Sequence, residues 1–190
     1  MRRLCCFLLL LANFQLKAQF SSDYPAGNHI IQAGAGYTHD FPGLNGYHVG
    51  LEYSKPMNEK LEASIGMKYM NISGYPRTVS REEFTKAKSF DLGIHFIPLQ
   101  SESSRLSLGL GYSFVFYEVQ RAYPVWLNGA SDKSPEWHSQ YLKGRNSGIN
   151  LFAEYDYRFI GSGIFIGVRA AWYKSYDRVT AIGPVLGCVF

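Results

Sequence analysis

Glu154 and Arg169 stand on either side of Gly161-Ser162. If that dipeptide is the tip of a two-residue hairpin, Ile160 faces Gly163 and Phe159 faces Ile164. Counting on, Glu154 faces Arg169. Both belong to the polar side of an alternating pattern. Opposite charges across such a ladder hold each other where neither could be buried alone. Glu52, Glu62, Lys68, Asp91, His95, Asp156 and Arg158 fall on the same kind of face. The pattern predicts one interior charge network.

Other chemistry is harder to find. His29, His39, His48, His95 and His138 show no metal-ligand spacing, and there is no cysteine cluster. No Gly-x-Ser-x-Gly elbow or phosphate loop occurs. Gly34-x-Gly36 lacks a third glycine and a following helix. His138-Ser139 does not have the His-x-Ser spacing of a lipid A deacylase. The strand carboxylates could imitate a glycosidase pair, but paired interior charges explain them better. No catalytic residue, cofactor site or metal site is expected. Tyr123, Trp126, Trp137 and Tyr141 cluster in one long connection and are candidate contacts for a sugar or a protein.

The elements that would position these residues are eight alternating segments, at about 29–39, 47–55, 60–70, 88–97, 105–118, 147–159, 163–174 and 179–190. Each is near the 9–11 residues that a tilted membrane strand needs. In the third, Leu61, Ala63, Ile65, Met67 and Tyr69 alternate with Glu62, Ser64, Gly66 and Lys68. In the fifth, Leu106, Leu108, Leu110, Tyr112, Phe114 and Phe116 alternate with Ser107, Gly109, Gly111 and Ser113. Alternation fits a soluble sandwich with its apolar face inward. It fits a membrane barrel equally well, with its apolar face outward.

Connections decide between them. Short ones, around Pro56-Met57-Asn58, Pro98–Ser104 and Gly161-Ser162, alternate with connections that include two long polar ones, about 71–87 and 119–146. That asymmetry is expected of outer-membrane barrels. Aromatic residues also gather at both ends of the apolar faces, where a membrane interface would lie. A Gly-x-Gly-Tyr echo between residues 34–41 and 109–116 is read as repeated strand chemistry rather than as duplication.

The N-terminus carries Arg2-Arg3 and then an apolar run from Leu4 to Ala12, and reads as a signal peptide over residues 1–19. Its removal would take Arg2, Arg3 and Lys17 and no acid, lowering the formal charge from +4 to +1. The basic balance therefore gives no support to nucleic-acid binding. Cys5 and Cys6 would leave with the signal. Cys188 alone would remain, so no internal disulfide is expected.

Ile182, Pro184, Leu186, Cys188 and Phe190 form a bulky face that ends at the C-terminus, opposite a small one with Gly183 and Gly187. With the Lys17-Ala18-Gln19 signal end and the alternating strands, this resembles the small eight-stranded outer-membrane barrels (OmpA/OmpX-like). The signal is similar to those of Bacteroidetes-type bacteria. The resemblance covers residues 29–190. It implies that Phe190 is an assembly signal read by the barrel-assembly machinery. Pro184 departs from the pattern and predicts a bulge or a local break.

The expected fold is all-β, an eight-stranded antiparallel up-and-down transmembrane barrel over residues 20–190. The expected location is the outer membrane, in contact with its lipid. The expected role is non-enzymatic, structural or surface-interacting, through connections 71–87 and 119–146. The alternatives are a lipid-modifying barrel enzyme and a secreted, calycin-like ligand-binding barrel. A Ser and a His in contact near the outer girdle would mark the enzyme.

Overall fold

The computed structural model describes residues 29–41, 43–76, 81–125, 136–175 and 177–190. The expected export signal lies outside these, as does Trp126. Eight strands follow one another: β1 (Ile30–Asp40), β2 (Asn45–Asn58), β3 (Leu61–Gly74), β4 (Glu83–Gln100), β5 (Ser104–Val125), β6 (Glu136–Arg158), β7 (Ile164–Lys174) and β8 (Arg178–Val189). Every neighbouring pair is antiparallel, and β8 closes onto β1. The fold is the expected up-and-down barrel.

The register fixes its shape. A path across paired residues runs from Ile30 through Ser54, Ser64, Gly93, Gly111, Asn150, Tyr173 and Val179. It re-enters β1 at Asp40. This stagger of about ten residues tilts the strands by roughly 35–45° to the barrel axis. An eight-strand wall at that tilt leaves an interior that side chains can fill.

The apolar faces point outward. Leu51, Met67, Ile94, Leu110, Val168, Ile182 and Leu186 are all exposed. The alternate positions point inward, and Gln32, Glu62, His95, Arg105, Glu154 and Asp156 are buried. Polar groups inside and apolar groups outside invert the soluble pattern, and this is the arrangement of a transmembrane barrel.

Several boundaries differ from the sequence reading. β2 runs through Pro56 to Asn58 rather than stopping before it, with the register shifting between Pro56 and Asn58. β4 likewise passes Pro98, with a shift between Phe96 and Leu99. Each irregularity accommodates a proline, which cannot donate to the ladder. Pro184 itself causes no register shift. The β1–β8 pairing breaks only between Gly34↔Val185 and Tyr37↔Ile182. The Gly161-Ser162 connection is wider than a two-residue turn. Phe159 N–H donates to Ile164 O at 3.0 Å, and Gly161 and Gly163 adopt φ of 78° and 68°. The register through it is nevertheless the one counted from the sequence.

The largest correction concerns the supposed loops. Much of 71–87 and 119–146 is strand. The β3–β4 ladder continues to Gly74↔Glu83, and the β5–β6 ladder to Val125↔Glu136. Their charge and polarity suggested loops. The β3–β4 part belongs to the barrel wall: Asn45 still pairs with Ser73, and Ile72, Thr85 and Ala87 are buried. Only the β5–β6 hairpin stands clear of its neighbours, beyond Gln120 on β5, and there it has no core face to fill and need not alternate cleanly.

Candidate functional site

The interior is built in layers between the end with the short turns and the end with the β5–β6 hairpin. Near the turn end, Arg105 is 2% exposed and lies among carboxylates. Its Nε and Nη2 donate to Asp156 Oδ2 at 2.9 and 2.7 Å. Its Nη1 donates to Glu62 Oε1, and Nη2 stands 3.5 Å from Glu154 Oε1. Arg158 occupies the next inward position on β6 after Asp156.

Arg169 sits one layer further in. Its Nη1 and Nη2 donate to Glu52 Oε2 and Oε1 at 2.9 and 2.8 Å, and its Nε donates to Glu154. A two-pronged contact of this kind is among the strongest ion-pair geometries. Glu154 lies opposite Arg169 in the β6–β7 register. Gln32 Nε2 joins Glu52 at 2.8 Å and Glu154 at 3.4 Å. The Arg169 guanidinium also lies 4.6 Å from the Phe152 ring centre. Phe152 fits inside because its cross-strand neighbour is Gly109, where a Cβ would come within 1.8 Å of the ring.

Higher still, Lys68 Nζ reaches Asp91 at 3.4 Å and the Tyr173 hydroxyl. A cavity of about 40 Å³ lies between these groups, Arg169 and His48. At about 10–15 Å³ per water, it has room for only a few. Above it, Leu44, Met70, Ile72, Ala87, Val115 and Val179 form a buried apolar plug. Arg121 caps the plug. It donates to Glu83 at 3.1 Å and to Asp177 at 2.7 Å, and lies 3.6 Å from Asp40. It thereby ties the β5 extension to β4, to β1 and to the β7–β8 connection.

Sequence reasoning missed Arg105, Gln32, the apolar plug and the Arg121 cap. Arg105 shares parity with Ser107, but it stood at an assumed strand start. Arg121 lay in a stretch taken for a loop. Of the proposed contact residues, Tyr123, Trp137 and Tyr141 stand on the β5–β6 hairpin rather than on a loop. Tyr123 and Tyr141 are exposed, and the Tyr141 ring centre lies 6.3 Å from that of Phe84.

One Ser–His hydrogen bond occurs among the described residues. Ser64 Oγ and His95 Nε2 are 2.9 Å apart. It is not at an outer girdle, because His95 is buried in the lumen. Glu52 approaches the same Nε2, at 3.5 Å, leaving Nδ1 without a partner. A nucleophilic triad needs its carboxylate on the other nitrogen. Among the described residues, no group of His, Cys, Asp and Glu forms a metal cluster.

Fold and interior together define an eight-stranded transmembrane barrel with a side-chain-filled lumen. No protein-family model and no curated protein matches the chain. Solved structures do. Neisserial surface protein A is similar with a TM-score of 0.58 at 11% identity, covering 86% of this chain and 97% of that one. Ail, the attachment invasion locus protein of Yersinia pestis, in complex with the heparin analogue sucrose octasulfate, gives 0.53 at 13%, covering 86% and 99%. The outer membrane protein OprG from Pseudomonas aeruginosa gives 0.54 at 11%, covering 85% and 96%. Identities this low speak for a common fold.

Proposed function

We propose that the protein is a non-enzymatic outer-membrane barrel that anchors a protruding β-hairpin at the cell surface. The supporting observation is the lumen. Among the described residues, ion pairs, an apolar plug and the Arg121 cap occupy the lumen around a cavity of about 40 Å³, which supports a closed scaffold over a channel or an enzyme. The outward apolar wall contacts lipid. Residues 1–19 act as the cleaved export signal, and their Lys17-Ala18-Gln19 end fits a Bacteroidetes-type envelope. Phe190 is presented to the barrel-assembly machinery. The hairpin carries Tyr123 and Tyr141 outward, where an extracellular protein or glycan can meet them.

Envelope fractionation with gel migration before and after boiling tests this. The expected result is recovery in the outer membrane, with a folded band that shifts on heating. Recovery as a soluble periplasmic protein would overturn the reading.

A further inference from the structure

The outer wall carries cations at the hairpin end. Lys86, Lys88, Lys143, Arg145, Lys174 and Arg178 are exposed there. Lys143 is engaged by Glu118 at 2.7 Å. Lys174 and Arg178 are different. They face each other directly across the β7–β8 ladder, where Cβ atoms stand about 5 Å apart and like charges destabilise the pair. Neither has an ion-pair partner among the described residues. The nearby Asp177 carboxylate is taken by Arg121, and His39 is turned to Asn45 at 2.8 Å. The Arg178 guanidinium rests 5.5 Å from the Phe41 ring centre.

Directly below this pair the wall is indented. Small side chains, Ala153 and Ala170, sit between Tyr37, Leu151, Trp172 and Ile182, forming an open apolar groove. The cross-strand order Ala153↔Ala170↔Ile182 places the groove under the cation pair. Two unneutralised cations above an open apolar groove fit one class of molecule.

We propose that Lys174 and Arg178 bind the phosphate of an anionic lipid whose acyl chain lies in the Ala153–Ala170 groove. This rests on the wall facing lipid, as argued above. The like-charged pair is tolerated because a phosphate sits between its members. Each cation near a membrane surface favours an anionic headgroup by about fivefold.

Trp172 lines the groove and reports on it. The other tryptophans, Trp126 and Trp137, are replaced by Phe, and the full barrel is reconstituted in phosphatidylcholine vesicles. Acyl-brominated phosphatidylglycerol is compared with acyl-brominated phosphatidylcholine as a quencher of Trp172. The expected result is quenching at about fivefold lower mole fraction of the anionic lipid, or lower still. The preference should vanish in Lys174→Gln/Arg178→Gln, survive in Lys88→Gln and persist in millimolar inorganic phosphate at constant ionic strength. Equal quenching by the two lipids would overturn the proposal, as would a preference that survives in the double variant. Loss of the preference in Lys88→Gln would show surface potential rather than a site, and loss in phosphate would show a free-anion site. Both also overturn it. Heat-modifiable migration of each variant checks that it is folded. No quenching by either lipid would instead sink the membrane reading itself.

Discussion

Arg105 and Arg169 hold Glu52, Glu62, Glu154 and Asp156 in a lumen with little water, so each depends on the others. Removing one partner of a buried pair leaves an uncompensated charge, at a cost of about 3–5 kcal/mol. Arg105→Met should therefore lower the unfolding free energy of the refolded barrel by about that amount, measured by urea titration in lipid vesicles. The double variant Glu154→Gln/Arg169→Met should be less destabilised than the sum of its singles, with a coupling of about 1–3 kcal/mol. Additive losses would show that the pair does not act as a unit. The Glu154–Arg169 juxtaposition was legible because a short turn fixes register and side chains alternate strictly. The wider network was not. Glu62 and Asp156 meet through Arg105, across the lumen, and no local pattern encodes contacts across a barrel interior.

Closure depends on the seam between β1 and β8, and glycine makes it possible. A Cβ on Gly183 would come within 2.0 Å of Ala35 O, and one on Gly36 within 2.2 Å of Ile182 O. Backbone cannot yield as a flexible side chain can. Gly183→Val should prevent closure, seen as loss of the heat-shifted folded band after refolding. The sequence placed Gly183 on a small face and flagged Pro184 beside it, so the position of the weak point was readable. A local break there was one of the two expected outcomes; that it comes without a bulge was not readable, because this depends on what β1 presents opposite. The β5–β6 hairpin behaves differently. β4 pairs β5 only as far as Phe84↔Gln120, and β7 pairs β6 only from Lys174↔Ile149. Beyond these points the hairpin contributes little to the barrel. Replacing residues 123–139 by a short Gly-Ser turn should leave the barrel's melting temperature nearly unchanged, because the Arg121 cap remains. Arg121→Ala should lower it. A large drop on trimming would mean that the hairpin is part of the barrel core.

For the whole molecule, the central claim is that the apolar wall meets lipid and the filled lumen does not conduct. A charge set into the middle of that wall should cost about 2–4 kcal/mol of stability in a bilayer, so Leu110→Arg should unfold at lower urea than the parent protein. The most direct measurement labels the wall itself. With Cys188 replaced by Ser, a nitroxide is placed at Leu110, which is 57% exposed, and separately at Tyr141 on the hairpin. Collision rates with oxygen and with a water-soluble nickel chelate are then measured in vesicles. The expected result is a label at 110 open to oxygen and closed to nickel, with a much higher ratio of nickel to oxygen collisions at 141. A label at 110 that meets the nickel chelate freely would contradict the membrane-spanning barrel.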